Sequence, residues 1–462
     1  MLNVRSTCFL LGLSLVGLSA ALPVSAQQTS PAPADQTTLA AAATPAPPQD
    51  QAPAPGSAPA AAAPAAAPTW SIGPIDFSGT IDGYYSWNTE HPANKVNELY
   101  NFDSPTNTFS LNMAKIALSH TADPVGFELD LMYGNTAQLI SNVSGEDSVF
   151  DRNVEQAYVS FKPMRAKGFE IDFGKFVTSA GAEVIESYSN WNYSRSLLFS
   201  WAIPYFHFGV RTSWPMGKHV TGGFQLVNGW NNDFAINSRA TLGANVAVTY
   251  AKWSLAENWY GGEDNEVYDP GVGDTRGWRQ LFDTVLTLTP SSKFSAYVNY
   301  DYGQNRNYGI SSSYSLGEDP TAFPDGSLAR WSGIAAALHF QPTSKWSFTP
   351  RFEVFNDPEG FAMFGASGAD TDFTDGTVPI RQTVKEITVT GEYKILEGLL
   401  WRAEYRYDWS NQPFFERGGG SGFPFVCTAD TPAACPAGFG LQNSKDQNTV
   451  TVAFIGFFGP KR

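Results

Sequence analysis

Leu399-Leu-Trp-Arg-Ala-Glu-Tyr-Arg-Tyr-Asp-Trp409 alternates without a break. Leu399, Trp401, Ala403, Tyr405, Tyr407 and Trp409 share one face, and Arg402, Glu404, Arg406 and Asp408 share the other. Period two is the spacing of a strand, whose successive side chains point to opposite sides. The same alternation recurs outward from this stretch. Phe127, Leu129, Leu131 and Tyr133 oppose Glu128 and Asp130, and Phe169, Ile171 and Phe173 oppose Glu170 and Asp172. From Trp70 onward the pattern predicts sixteen strands, at 75–88, 107–121, 125–136, 152–162, 168–178, 203–215, 219–229, 240–251, 253–262, 279–289, 293–304, 328–341, 345–356, 383–395, 399–410 and 447–459.

A half-buried soluble sheet has the same period, so the connections have to decide. Every second one is tight, as at Ala122-Asp123-Pro124, Pro215-Met-Gly-Lys218, Pro290-Ser-Ser-Lys293, Pro342-Thr-Ser-Lys345 and Leu396-Glu-Gly398. Proline ends a strand and starts a turn. The others are long: 89–106, 137–151, 179–202, 230–239, 263–278, 305–327, 357–382 and 411–446. Short turns at one end and long loops at the other are the plan of a transmembrane antiparallel up-and-down β-barrel, with its turns in the periplasm and its loops outside. Aromatic residues near strand ends, among them Tyr84, Tyr85, Trp87, Trp214, Trp230, Trp253, Trp259, Tyr260, Trp346 and Trp409, are expected to form the interfacial girdles.

Composition agrees. Only 16% of residues are charged and 14% are aromatic, against about 25% charged in soluble domains. Beyond the N-terminus no apolar run approaches the ~20 residues of a membrane helix. A net charge of −15 argues against nucleic acid as a partner.

Residues 1–26 read as a secretory signal: Arg5 supplies the positive end, 9–22 the apolar run, and Val24-Ser-Ala26 the small-residue cleavage site. Residues 27–69 are dominated by Ala and Pro, with ten prolines and two charges, Asp35 and Asp50. Such a segment cannot bury a core and is expected to be a disordered linker, extending to ~130 Å at most. The barrel is expected over 70–462. Cys427 and Cys435 lie in a Gly/Pro-rich stretch of an exported chain and are expected to form a disulfide. No His lies near either, so a metal site is not expected there. Asp370-x-Asp372-x-x-Asp375 departs from calcium-loop spacing and reads as a solvated acidic loop.

Five segments carry a resemblance by their order: Phe77-Ser-Gly-Thr-Ile-Asp-Gly-Tyr-Tyr85, Leu111-Asn-Met-Ala-Lys-Ile116, Glu155-Gln-Ala-Tyr-Val-Ser160, Ile171-Asp-Phe-Gly-Lys-Phe176 and Asn192-Tyr-Ser-Arg-Ser196. The chain resembles the OmpL-like outer-membrane β-barrel porins over essentially all of 75–462. The resemblance implies a channel for small hydrophilic solutes or ions in the bacterial outer membrane. It also implies contact with outer-membrane lipid and lipopolysaccharide, insertion by the barrel-assembly machinery, and the homotrimer common among general porins. One departure is the C-terminus, where Phe458 is followed by Gly-Pro-Lys-Arg462 rather than ending on an aromatic residue.

A sixteen-stranded barrel can hold an aqueous lumen. The loop 179–202 occupies the position of the inward-folded loop of sixteen-stranded porins. Glu183, Glu186, Asn192 and Arg195 are its candidate constriction residues, with Leu197, Leu198, Phe199 and Trp201 pinning it to the wall. An external loop packed on its neighbours is the alternative. By parity Lys115, Glu128, Asp130, Glu170, Asp172, His207, Arg211, Arg351, Glu353, Arg402, Glu404, Arg406 and Asp408 face the lumen. Acids on the third and fifth predicted strands, opposite bases on the thirteenth and fifteenth, are expected to set up a transverse field. The alternative is local pairing along the wall. Hydrolase signatures such as G-x-S-x-G and H-E-x-x-H are absent, so neither enzymatic activity nor a cofactor is expected. The competing function is a plugged structural or adhesive barrel, tethered to a periplasmic partner by the Ala/Pro leader.

Overall fold

The computed structural model describes residues 71–92, 95–144, 152–235, 239–263, 277–306, 328–363, 381–416 and 444–459. The signal and linker, Cys427 and Cys435, and the acidic stretch 370–375 lie outside them. Seventeen strands run in chain order. β1 (Ser71–Ile72) is a two-residue stub, and β2 (Ile75–Asn88), β3 (Thr108–His120) and β4 (Val125–Tyr133) follow. Next come β5 (Val154–Phe161), β6 (Glu170–Val177), β7 (Phe206–Pro215), β8 (Val220–Val227), β9 (Thr241–Tyr250) and β10 (Trp253–Glu263). The rest are β11 (Trp278–Ser291), β12 (Phe294–Arg306), β13 (Leu328–Phe340), β14 (Trp346–Asp357), β15 (Gln382–Leu396), β16 (Leu399–Ser410) and β17 (Asp446–Phe458).

Each strand from β2 to β17 pairs antiparallel with the next, and β17 returns to β2, with Thr449 opposite Asn88 and Phe458 opposite Gly79. The ring of sixteen therefore has no edge strand, which leaves no unpaired backbone row to face lipid. β1 lies outside the ring, paired to the start of β2. The tight connections all fall at one end of the barrel and the long loops at the other, as the sequence predicts. Gly398 shows why one turn is so short. It holds φ +81, and a Cβ there would stand 2.5 Å from the Phe457 carbonyl oxygen.

Burial is inverted relative to a soluble sheet. Phe109, Phe224 and Leu338 on outward positions are 85%, 74% and 59% exposed, whereas Arg351, Arg406 and Asp408 on inward positions are almost completely covered. Along β16 the outward set is Leu399, Trp401, Ala403, Tyr405, Tyr407 and Trp409, and the inward set includes Arg402, Glu404, Arg406 and Asp408. An apolar exterior over a charged interior suits lipid outside and polar groups within.

Three features depart from the expectation. The loop after β4 contains a helix, α1 (Asn135–Ser144). Of the expected girdle residues, Tyr84 and Tyr260 are buried on inward positions and Trp230 packs edge-on against inward Trp331. Parity within the strand outranks proximity to its end. Finally, an apolar cluster fills part of the interior. It joins Leu99 and Phe102 of the first long loop, Ala137 and Ile140 of α1, Leu197, Leu198 and Phe199 of the third loop, Met363, and Phe414 with Phe415.

Candidate functional site

The loop between β6 and β7 leaves the wall at Val177 and crosses the interior. Gly181 makes its first bend, at φ +93, with its Cβ position crowded by Ile203. The outgoing leg is tied to the wall at two points. Ser179 Oγ donates to Asn258 Oδ1 on β10 at 2.8 Å, and the Ala182 N–H donates to Asn299 Oδ1 on β12 at 3.0 Å.

The middle of the loop reaches the far wall. Arg351 on β14 donates from Nη1 to Glu183 Oε1 at 2.8 Å and to the Ser194 carbonyl at 2.8 Å. Glu183 Oε2 accepts the Ser196 N–H at 2.6 Å, clamping the loop's two limbs together. Glu186 pairs with Lys115 on β3. Asn192 Nδ2 donates to Thr390 Oγ1 on β15 at 2.7 Å. Glu404 on β16 accepts two successive backbone N–H groups, from Tyr193 at 2.6 Å and from Ser194 at 3.0 Å. Arg402 donates to the Ser187 and Asn190 carbonyls, and Arg406 to the Arg195 carbonyl at 2.8 Å. The loop supplies carbonyls to arginines and N–H groups to a carboxylate, so its backbone polar groups are satisfied by the barrel wall.

Arg195 does not point at an open path. It donates from Nη1 to the Tyr193 carbonyl at 2.7 Å and from Nη2 to the Ile185 carbonyl, and its guanidinium lies 4.8 Å from the Phe102 ring centroid. Glu183, Glu186, Asn192 and Arg195 are all buried. The return leg is a single π-helical turn, Leu198–Ala202. As expected, Leu197, Leu198 and Phe199 are buried in the apolar cluster, and Trp201 Nε1 donates to the Leu99 carbonyl at 3.1 Å. The loop is thus internal rather than external.

The inward charges are paired locally. Lys115 meets Asp130 at 2.8 Å and Glu155 at 2.6 Å, besides Glu186. Glu170 pairs with Lys162 at 3.1 Å, and Asp172 with Arg211 at 2.8 Å. Arg351 meets Glu353 and Glu386, each at 2.9 Å. Arg402 meets Glu392 at 2.8 Å, and Arg406 meets Asp408 at 2.8 Å. Glu128 is buried on an inward position. The expected transverse field is therefore corrected. Asp130, Glu170, Asp172, Glu353 and Asp408 each meet a base on or next to their own or a neighbouring strand, Glu404 instead accepts backbone N–H groups of the loop, and opposed charges in contact leave little field across the interior. Asp130, Glu155 and Glu186 lie close enough together to share a cation, but the Lys115 ammonium already sits among them. His207 hydrogen-bonds the Gly229 carbonyl at 2.9 Å and stacks on Tyr260.

The first long loop, 89–107, is the part of the interior that the sequence reading overlooked. Its Asp103 is buried, and burial pushes its carboxyl up to about 7 against the pull of Arg195 and Arg406. Tyr188, on the crossing loop, is pushed up to about 12 chiefly by burial. Glu386 was also overlooked, although Val384, Glu386, Thr388 and Thr390 share the inward parity. Leu99, Tyr100 and Phe102, large apolar and aromatic residues close together in a long loop, were the available signal for the rest.

Several solved outer-membrane proteins are similar to this chain. OmpT, an outer membrane protein of Vibrio cholerae, is 11% identical with a TM-score of 0.48, over 83% of this chain and 97% of its own. The outer membrane channel DcaP of Acinetobacter baumannii is 10% identical at 0.47, over 83% and 97%. An anion-selective porin from Comamonas acidovorans is 9% identical at 0.50, over 83% and 99%. At these identities the likeness concerns the fold. Among curated proteins none matches the chain. The family model for beta-barrel porin-2, OmpL-like, matches residues 74–458. That span runs from the start of the ring to its last strand, and the chain belongs to this OmpL-like porin family of outer-membrane β-barrels.

Proposed function

We propose that the protein is a narrow outer-membrane diffusion channel for small hydrophilic solutes or ions, with the loop 179–202 as its constriction. The observation that supports this reading is the bonding of the loop to the far wall, through Glu183 to Arg351 and through Glu404 to the Tyr193 and Ser194 N–H groups. A path past such a loop is slender and lined by hydrogen-bonding groups, so it favours hydrated solutes over apolar ones. Export by the signal 1–26, a periplasmic spacer over 27–69 and a Cys427–Cys435 disulfide belong to the same proposal. So do a homotrimeric assembly, lipopolysaccharide around the barrel, and insertion by the assembly machinery.

The second reading, a plugged barrel, is favoured by one observation. Leu99, Phe102, Leu197, Phe199, Phe414 and Phe415 pack together inside the ring. Planar-bilayer recording in KCl with liposome swelling on sugars and amino acids separates the two. The channel reading expects discrete steps smaller than those of an open wide porin, and faster swelling with the smallest solutes. Silence from a correctly folded barrel would replace the channel with the plug.

A further inference from the structure

The first long loop carries a hairpin that sits inside the barrel without belonging to its wall. Val96 bridges to Pro105, the Asn97 N–H donates to the Ser104 carbonyl at 2.7 Å, and the Thr106 N–H donates to the Lys95 carbonyl at 2.8 Å. Its tip buries Leu99, Tyr100 and Phe102. Side chains supply one partner of each bond that holds the tip. Tyr100 Oη meets Thr449 Oγ1 on β17, Asn101 Nδ2 donates to the Ser200 carbonyl at 2.7 Å, and Gln447 Nε2 donates to the Glu98 carbonyl at 2.6 Å. The ladder between β2 and β3 ends at Ser86 opposite Thr108, so lifting the hairpin breaks no rung of the ring. The backbone is strained where it seats: Lys95 holds φ +58, Leu99 +68 and Asn107 +56. A bulky apolar residue is disfavoured at positive φ and stays there only where its surroundings impose it. Leu99 relaxes once the tip leaves its seat.

Asp103 makes the seat sensitive to protons. It is buried, and no described group donates a hydrogen bond to its Oδ2. Arg195 of the crossing loop and Arg406 of β16 attract its charge, while Glu404 of β16 and Asp82 of β2 repel it. The hydroxyls of Tyr84, Tyr100 and Tyr193 also face it, and Glu98 shares the hairpin tip. Both guanidinium groups are engaged elsewhere, Arg195 on two carbonyls and Arg406 on Asp408. Burial outweighs them and lifts the seated carboxyl from 3.8 to about 7. A lifted hairpin returns it to water and to its ordinary range. Below about pH 4 the group is protonated in both positions, and neither is favoured. Between about 4 and 7 only the lifted form ionises, so lifting gains about tenfold per pH unit; above 7 both ionise and the gain stops. We propose that the hairpin 95–107 is a detachable plug, seated in the barrel in acid and lifted out of it at neutral and higher pH. The proposal rests on the channel reading above and joins it to the plugged one, since one barrel is then closed or open according to pH.

The test is planar-bilayer recording of the full-length barrel in symmetric KCl between about pH 4 and 8. The ratio of open to closed wild-type channels should rise by up to about tenfold per pH unit as far as pH 7 and level off above. Asp103→Asn cannot ionise and should stay at the acid level throughout. Deleting 96–105, whose flanking Lys95 and Thr106 are already joined by a hydrogen bond, should leave the barrel open at every pH. Glu263→Gln at the outer rim should keep the wild-type slope. Heat-shifted gel mobility checks that each variant folds, and should the deletion fail that check, the comparison of wild type with Asp103→Asn decides alone. A flat or reversed wild-type slope beside a conducting deletion barrel would overturn the plug and leave the channel reading intact. So would an Asp103→Asn barrel that keeps the slope. A folded deletion barrel that stays silent would overturn the channel reading and the plug together.

Discussion

Glu257 puts a carboxylate on the largely apolar outward face of the barrel. It is an exposed residue in the middle of β10, between outward Leu255 and Trp259, with Val246 and Thr284 as its cross-strand neighbours. It accepts a hydrogen bond from Thr284 Oγ1 at 2.7 Å. Charge on the lipid face of a barrel destabilises according to depth, less for Glu than for Lys or Arg. Glu257→Leu should therefore stabilise the barrel by about 1–2 kcal/mol in urea titrations from liposomes. A loss of stability would mean that something other than lipid covers this face. Asp103, in the first long loop, makes the opposite kind of case. Its carboxyl is raised from 3.8 to about 7, mainly by burial. The folded chain then keeps a proton that the unfolded chain has released. Stability should fall as pH rises from about 4 through 7 and level off above. Asp103→Asn should flatten that part of the profile. An unchanged slope would assign the pH dependence to other groups.

At the level of elements, the strands were legible and their meeting partners were not. All sixteen ring strands lie within a few residues of their predicted limits, because alternation and Pro/Gly turns are local signals. Parity also told inside from outside, as Arg402 to Asp408 show. It could not tell which charge meets which, since that depends on strand tilt and on the path of the loop across the interior. Hence the pairing of Glu183 with Arg351 was not foreseen, nor the inward packing of Leu99 and Phe102. This pairing yields an element-scale prediction. Arg351 contacts Glu183, Glu353 and Glu386 in a fully covered setting. Removing one member of a buried ion pair costs about 3–5 kcal/mol. Arg351→Ala should loosen the crossing loop and raise single-channel conductance several-fold. Glu183→Gln, which keeps the side-chain shape, should do the same more gently and guards against misfolding of the first variant. Changing Glu263, which pairs with Arg239 at the outer rim at 2.9 Å, should leave conductance as it is. Equal responses from both places would remove the loop 179–202 from the conduction path.

The whole molecule is organised by closure. Every ring strand pairs on both sides, and the ring begins at Ile75 and closes on β17. Among the described residues only the stub Ser71–Ile72 precedes it, held by two register positions on β2. The composition of 27–69, mostly Ala and Pro with two charges, supplies neither an alternating face nor apolar mass for the interior. The energy that holds the barrel together comes from its backbone ladder, its lipid-facing side chains and the crossing loop, all of which lie downstream. Deleting Gln27–Thr69 behind an intact signal should therefore leave heat-shifted gel mobility unchanged and conductance within about twofold, because nothing in such a segment can compete with a closed ladder. The deletion should act only where distance matters, on anything the barrel holds in the periplasm. A barrel that no longer inserts after the deletion would show that the segment takes part in assembly, and its role as a spacer would fall.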